Sequence, residues 1–311
     1  MRKITITTSS FAGFDKRPVE LLEENGFEVF LNPFGRTLRG NEIIELCKGS
    51  IGIIAGTELL DAKTLESLAQ SANPESVLKV ISRCGTGMDS VDLSAANKLG
   101  IKVFNTPDAP TLAVAELTLG LILNLLRNIS QMDRDVRKGH WKKNMGNLLS
   151  GKKIGIIGFG RIGQKVAEFL LPFDCKVKYY DVKNEAAGHR IKEGIKRAEL
   201  DELLTTSDII SIHVSAKEGF IGEEEIKKIK KGACLINVSR GGVIDEDALY
   251  SALKDGHLTA AALDVFEQEP YLGSLRELDN VILTPHIGSY AVETRVDMEK
   301  EAVINLLKGL R

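Results

Sequence analysis

No stretch of this chain concentrates charge of one sign, thiols or apolar residues enough to define a nucleic-acid, metal or membrane protein. Lysine and arginine total 41, aspartate and glutamate 43, and the formal charge is −2 with both signs interspersed. That surface has no electrostatic footprint for nucleic acid or an acidic membrane. The four cysteines, Cys47, Cys84, Cys175 and Cys234, lie far apart, with neither metal-ligand nor C-x-x-C spacing. They read as small core residues in a reducing compartment, and no metal is expected. Met1-Arg2-Lys3-Ile4-Thr5-Ile6 enters a strand directly, without the apolar region of a signal peptide, which points to the cytoplasm. The longest apolar run, Leu112–Leu126, is interrupted by Glu116 and Asn124 and is too short for a membrane span. Internal repeats and low-complexity segments are also absent.

What remains is an ordinary globular composition, 43% hydrophobic and 27% charged, in 311 residues, a length that predicts two domains. Over the first hundred residues, strand-like Ile4–Thr8, Phe27–Leu31, Ile51–Ile54 and Leu78–Ser82 alternate with helix-like Pro18–Asn25, Asn41–Lys48 and Ala62–Ala72. Such alternation predicts a parallel sheet with helices on both faces. No phosphate-binding turn follows the first strand. The run ends on Arg83-Cys84-Gly85-Thr86-Gly87-Met88-Asp89, whose amides can close on an anion or simply make a strand-to-helix turn. After a strand at Ile101–Phe104, the corner Asn105-Thr106-Pro107-Asp108-Ala109-Pro110 suits a domain crossing. Thr111 to about Lys138 then reads as one long helix. A helix apolar nearly all round must be buried, here at the domain junction or against a partner subunit.

The most informative stretch is Lys153–Asp181. Ile154-Gly155-Ile156-Ile157 reads as a buried strand, Gly158-Phe159-Gly160-Arg161-Ile162-Gly163 as a turn, and the following apolar spacing as a helix stopped at Pro172. A second strand ends on Asp181, 18 residues past Gly163. This is the dinucleotide-binding fingerprint. Gly158 allows the tight turn, Gly160 lets the backbone approach a pyrophosphate, and Gly163 lets helix and strand pack closely. The helix N-terminus, at Arg161 and Ile162, stabilises the anion. Asp181 accepts hydrogen bonds from the adenosine ribose and repels a 2′-phosphate. With no arginine directly behind it (Val182-Lys183-Asn184), the expected cofactor is NAD. Further strands at Ile209–Val214, Cys234–Val238, Ala260–Val265 and Val281–Leu283, with Ile101–Phe104, bring this domain to seven. The tail Tyr290–Leu310 is an amphipathic helix.

Ligands of open α/β sheets bind beyond the carboxyl ends of the strands. The late strands run there into Ser239-Arg240-Gly241-Gly242, Phe266-Glu267-Gln268-Glu269-Pro270 and Thr284-Pro285-His286-Ile287-Gly288. A guanidinium can grip a carboxylate through two hydrogen bonds. An imidazole can exchange a proton with a carbinol or carbonyl oxygen near neutral pH, oriented by a neighbouring carboxylate. With a nicotinamide as hydride carrier, the set fits interconversion of a 2-hydroxy acid and a 2-oxo acid. On the residues alone, Arg240 is equally a surface ion-pair partner, and Glu267 and Glu269 are equivalent. His213, also at a strand end, rivals His286; His140, His189 and His257 read as solvated.

These motifs, in this order, resemble the D-isomer-specific 2-hydroxyacid dehydrogenases, closest to the D-3-phosphoglycerate dehydrogenase branch. The likeness is strongest in Ile154–Asp181, Ile236–Gly242, Ala262–Phe266 through Glu269-Pro270, and Leu283–Gly288. It implies that Arg240 binds the substrate carboxylate, that Glu269 rather than Glu267 supports the histidine, and that His286 is the acid–base group. It places His213 and Asp264 with the cofactor, Arg83, Gly85, Thr86 and Gly87 with the substrate, and the Thr111–Lys138 helix in a homodimer. Two departures stand out. Val214-Ser215-Ala216-Lys217 replaces the proline and threonine usual there, and Ile54-Ala55-Gly56-Thr57 lacks an arginine frequent in the phosphoglycerate branch, which leaves a substrate phosphate open. The end at Arg311 leaves no room for a carboxy-terminal regulatory domain.

The expected fold is therefore α/β, two doubly wound parallel-sheet domains. A Rossmann cofactor domain (100–286) is inserted into a flavodoxin-like substrate domain (1–99, completed by 287–311). The expected function is NAD-dependent interconversion of a D-2-hydroxy acid and its 2-oxo acid, D-3-phosphoglycerate among the candidates. The alternatives are a glyoxylate or hydroxypyruvate reductase and a non-enzymatic dinucleotide sensor.

Overall fold

The computed structural model describes residues 2–70, 73, 76–183, 192–214 and 219–311; Asn184, His189 and Ser215–Lys217 lie outside the described residues. The chain forms two compact units, Met1–Pro110 with Ser289–Arg311, and Thr111–Gly288.

In the first unit β1 (Arg2–Ile6), α1 (Arg17–Glu24), β2 (Phe27–Leu31), α2 (Asn41–Cys47), β3 (Ser50–Ala55), α3 (Ala62–Ala69), β4 (Val80–Arg83), α4 (Leu93–Lys98) and β5 (Lys102–Asn105) alternate. The strands form one parallel sheet in the order β2-β1-β3-β4-β5, the flavodoxin-like order. Successive side chains of a strand point to opposite faces, so both faces need cover. Ile53 and Ile81 pack with Ile43 and Leu65 of α2 and α3. Ile54 and Val80 pack on the other face with Met298, Ala302, Val303 and Leu306 of the last helix, Val292–Leu310. That helix lies close because a Cβ at Gly52 would stand 2.9 Å from Leu306, and one at Gly309 would stand 2.9 Å from Val80. Asp61 and Asp92 cap α3 and α4 by accepting from the Thr64 and Ala95 amides.

The second unit begins with α5 (Pro110–Arg127) and α6 (Ile129–Arg137), then runs β6 (Lys153–Ile157), α7 (Arg161–Leu170), β7 (Lys176–Tyr180), β8 (Ile195–Arg197), α8 (Leu200–Thr206), β9 (Ile209–Ile212), α9 (Glu223–Lys228), β10 (Cys234–Asn237), α10 (Glu246–Lys254), β11 (Ala260–Leu263) and β12 (Val281–Leu283); the chain then returns to the first unit with α11 (Val292–Leu310). The parallel sheet has the order β12-β11-β10-β9-β6-β7-β8. Counted within the unit, this is the Rossmann order 3-2-1-4-5-6 with a seventh strand added, and the order reverses between β6 and β9.

Three expectations change. The strand near Ile101–Phe104 pairs with β4, in the first sheet. The seventh strand of the second sheet is instead β8, a three-residue edge piece beside β7. The helix expected over Thr111–Lys138 is two helices, broken at Asn128, which takes a left-handed conformation (φ 52°). Asn124 explains the break. Its side chain accepts from the Ser130 amide at 2.9 Å and donates to the Ser130 hydroxyl at 2.6 Å, satisfying the new N-terminus.

Among the described residues, α5 is the one helix long and apolar enough to cross a membrane, yet Val114, Ala115, Leu121, Ile122, Leu125 and Leu126 pack in the unit's own core with Ile154, Val166 and Ile236. Leu112, in the first turn of α5, is exposed, and more exposed apolar side chains follow the helix: Ile129, Val136, Trp141 (83% exposed), Met145 (95%) and Leu148. The four cysteines are buried and unpaired, with burial pushing their thiols up, Cys47 to about 12.

Candidate active site

The site is built on the carboxyl edge of the second sheet. Beyond β6, Gly158 sits at φ 92°, donates its amide to the Tyr180 carbonyl at 2.8 Å, and passes so close to β9 that a Cβ would stand 2.6 Å from the His213 carbonyl. A Cβ at Gly163 would stand 2.1 Å from the Gly158 carbonyl, so α7 lies directly on the turn. Gly160, the N-cap of α7, is different. It has no side chain to cap the helix, and a Cβ there would meet nothing within 4 Å. Arg161 and Ile162 thus open a helix whose N-cap brings no side chain to its first turn, beside open space, a setting suited to an anion.

Asp181 ends β7. Its two oxygens accept from the Phe159 amide at 2.7 Å and the Lys183 amide at 2.9 Å, which holds the carboxylate over the turn. Each oxygen keeps lone pairs for a further donor such as a ribose hydroxyl. Phe159 stacks on Tyr179 with centroids 3.8 Å apart. Sequence reasoning did not single out Arg197. Its guanidinium donates to the Asp181 carbonyl at 3.2 Å, and only the pairing of β8 with β7 brings it there.

His213 follows β9. One ring nitrogen, Nε2, lies 2.8 Å from the Ser211 hydroxyl, while Nδ1 is buried without a protein partner. Burial pushes this imidazole down to about 3, so it is neutral at physiological pH. An orphaned buried nitrogen beside the glycine turn is a feature that a bound dinucleotide can satisfy.

Beyond β10, Asn237 folds the chain back. Its side-chain Oδ1 accepts from the Ser239 amide and hydroxyl at 3.0 and 2.7 Å, and its Nδ2 donates to the Arg240 carbonyl at 2.9 Å. An Asn two residues before Ser at a strand end was the available signal for this turn. Arg240 donates to the Ser239 carbonyl at 2.7 Å. A Cβ at Gly241 would lie 1.7 Å from the Phe266 carbonyl, so only glycine lets the segments after β10 and β11 meet.

Glu269 and His286 come together: Nδ1 of His286 lies 2.9 Å from Oε2 of Glu269. Oε1 of Glu269 accepts from the Phe266 amide at 3.2 Å. Partial burial alone would raise the Glu269 carboxyl. The His286 hydrogen bond and charge, the Phe266 amide and the Arg240 charge outweigh it, leaving the group below the usual carboxylate range. Glu267 is elsewhere, exposed, its amide held by Glu246 at 2.8 Å. His140 is exposed and His257 meets the Ile226 carbonyl at 3.1 Å. Asp264, 1% exposed, accepts from the Thr284 hydroxyl and from the Ile287 and Gly288 amides. Burial pushes its carboxyl up against the pull of those donors and of His286.

Arg83, Gly85, Thr86 and Gly87 belong to the first unit. Arg83 donates to the Cys84 carbonyl at 2.6 Å, and its guanidinium fills the space where a Cβ of Gly85 would stand. The loop is tied down by the Thr106 amide on the Gly85 carbonyl at 3.1 Å and by Asn105 on the Thr86 carbonyl at 2.8 Å.

Residues 119–288 match the family model described as "D-isomer specific 2-hydroxyacid dehydrogenase, NAD binding domain". The chain is 42% identical over 266 residues to a glyoxylate reductase of Thermofilum pendens, covering 82% of this chain and 76% of that protein. It is 38% identical over 304 residues to a D-3-phosphoglycerate dehydrogenase of Archaeoglobus fulgidus, covering 94% of this chain but 55% of that protein, so it spans about half the length of that relative. A crystal structure of a glyoxylate reductase from Paecilomyes thermophila has the same fold, with a TM-score of 0.85 at 28% identity, covering 100% of this chain and 95% of the other.

Proposed function

Because the chain belongs to the D-isomer-specific 2-hydroxyacid dehydrogenase family, we propose a role for each side chain on the edge of its second sheet. The protein is an NAD-dependent oxidoreductase that interconverts a D-2-hydroxy acid and its 2-oxo acid. Bound NADH supplies a hydride, and NAD removes one. Gly158, Gly160 and Gly163 with the Arg161 and Ile162 amides hold the pyrophosphate, Asp181 takes the ribose hydroxyls, and His213 walls the cofactor site as a neutral ring. Arg240 grips the substrate carboxylate. His286, whose Nδ1 is engaged by Glu269, exchanges a proton with the C2 oxygen through Nε2, and Glu269 stabilises the imidazolium. The 2.9 Å His286–Glu269 pair carries this reading, since it supplies an oriented acid–base group on the edge that bears the glycine turn and Arg240. In this assignment the first unit is the substrate domain, with Arg83 and the Gly85–Gly87 amides as its candidate anion-holding groups.

Among substrates, small unphosphorylated 2-oxo acids such as glyoxylate or hydroxypyruvate fit better than a phosphorylated one. Where the phosphoglycerate branch often has an arginine, the Gly56 amide donates at 3.0 Å to the carboxylate of Glu58, which is 2% exposed and also takes the Thr7 hydroxyl. Glycine at that position supplies no guanidinium to grip a phosphate. NADH oxidation against a panel of 2-oxo acids, with and without phosphorylated members, tests the assignment. Reduction of glyoxylate or hydroxypyruvate is the expected result. No turnover on any member would remove the enzymatic roles and favour a dinucleotide sensor on the same scaffold.

Asp181 makes NAD the preferred cofactor, and Asp181→Ala should weaken NAD and narrow the gap to NADP, helped by Arg197 and Lys183 nearby. Equal catalytic efficiency of the parent enzyme with both cofactors would count against this. Glu269→Gln keeps shape but removes the charge that Nδ1 of His286 faces, so the protonated ring loses its counter-ion. In the oxidising direction, where His286 must be neutral, the acid limb of the pH–rate profile should move down. In the reducing direction the basic limb should move down with it. Profiles that stay in place would refute the coupling.

The protein is a homodimer in this reading, and the partner surface is the exposed segment from Ile129 to Leu148 rather than α5, much of which packs into the unit's own core. So large an apolar display on one segment suits a second copy. Sedimentation at micromolar concentration should give twice the 34.0 kDa chain mass, and a monomer there would overturn the idea. The buried free thiols support a cytoplasmic location.

A further inference from the structure

His286 adopts φ 55°, a backbone conformation that a residue bearing a Cβ avoids and that its surroundings must hold. Within its loop, the His286 amide reaches only back to the Thr284 carbonyl, at 3.0 Å. Glu269 holds the ring and the Leu263 carbonyl takes the Thr284 amide at 3.0 Å, but three further donors on the two flanks converge on one carboxylate. Oδ1 of Asp264 accepts from the Thr284 hydroxyl at 2.6 Å and the Ile287 amide at 2.8 Å, and Oδ2 accepts from the Gly288 amide at 2.8 Å. These donors bracket His286 on both sides. At Gly288 a Cβ would stand 3.3 Å from Oδ2 and 3.2 Å from Val114 of α5, so the loop is pressed against the carboxylate. Asp264 is itself anchored, its amide donating to the Asn237 carbonyl at 2.9 Å, and the Asn237 side chain holds the Arg240 carbonyl. One continuous set of hydrogen bonds therefore runs from the arginine turn to the histidine loop.

We infer that Asp264 is the positioning residue of the acid–base histidine, locking the loop that carries His286 in register with the turn that carries Arg240. This rests on the reading of His286 as the proton-transfer group and assigns Asp264 to loop geometry before any contact with the cofactor. Its carboxylate already serves three donors, each of which would lose its acceptor without it, the Gly288 amide in a buried setting. Asparagine cannot substitute, because its NH2 group would face a donor.

The test uses Asp264→Asn and Thr284→Val in the full-length enzyme, with three readouts: hydrogen exchange of the Ile287 and Gly288 amides, kcat, and the Kd for NADH. For Asp264→Asn, exchange at both amides should rise by about tenfold or more, as expected when a local restraint is lost. Its kcat should fall by about 10²-fold, the usual result of a misplaced catalytic group, with NADH affinity within about threefold of the parent. Thr284→Val removes one of the three donors and should move exchange and kcat in the same direction by less, which keeps the idea testable if the asparagine variant does not fold. Unchanged exchange, unchanged kcat, or an NADH affinity that falls in step with kcat would each overturn the inference, the last making Asp264 a cofactor ligand. The exchange measurement needs no substrate. If the parent enzyme turned over no 2-oxo acid, the proposed activity would fall, while the exchange result would still decide whether Asp264 holds the loop.

Discussion

His286→Ala is expected to lower kcat by about 10²-fold or more, with NADH bound as tightly as by the parent enzyme. The expectation follows from how the ring is held. Glu269 engages Nδ1 at 2.9 Å, which fixes the imidazole plane and leaves Nε2 as the nitrogen that can exchange a proton. Glu269 is itself kept ionised, its carboxyl drawn below the usual range against its partial burial, so it favours the charged ring. Removing the imidazole deletes the proton donor but leaves the glycine turn and Asp181 untouched, since neither hydrogen-bonds to it. His213 is the competitor. Its burial pushes it down to about 3, and a ring neutral at working pH cannot store the proton that reduction consumes. Single-turnover and steady-state rates on both alanine variants decide between them. If His213→Ala abolished turnover with NADH still bound, and His286→Ala left it largely intact, the acid–base assignment would be wrong.

Arg240→Lys is expected to raise KM for the 2-oxo acid by about 10- to 100-fold, because a charge-assisted hydrogen bond contributes about 1.5–3 kcal/mol and each 1.4 kcal/mol is tenfold. Lysine keeps the charge and loses the planar fork that meets both oxygens of a carboxylate. The effect should be confined to the side chain. Asn237 and Ser239 build the turn from the Asn237 amide and the Arg240 carbonyl, which the substitution leaves in place. Gly241 must still pass the Phe266 carbonyl, so the segment has little freedom to adjust. A lysine variant with parental KM but depressed kcat would mean that the guanidinium acts on the reacting oxygen rather than on the carboxylate, and the proposed grip would have to be withdrawn.

Features that arise within a few residues of one another were legible in the sequence. The glycine turn, its helix and Asp181 are one contiguous unit, and each glycine answers a local demand: a left-handed φ at Gly158, a close approach at Gly163, an uncapped helix start at Gly160. The alternation of strand and helix likewise follows from the periodicity of apolar side chains, and with it the α/β class. Break signals are visible too: Asn124 interrupts the apolar run, and its side chain supports the start of the next helix.

Only the tertiary structure decided which strand lies beside which. Lys102–Asn105 has no residue that names its neighbour, and it joins β4 because backbone pairing is settled by the whole sheet. Ile195–Arg197 was invisible as a strand because an edge piece buries one side chain, Ile195, and so shows no alternation. The same limit applied to the chemistry. Glu267 and Glu269 are chemically alike, and the direct distinction between them is spatial: one meets His286 across 17 positions of chain, while the other sits where its own amide is held by Glu246. Asp264 shows the limit most plainly. Its partners lie 20 to 24 residues away, and two of them are backbone amides, groups that every residue but proline carries. No side-chain pattern could therefore announce them. Local geometry is written in neighbouring residues, whereas the pairing of distant groups is written only in the packing that brings them together.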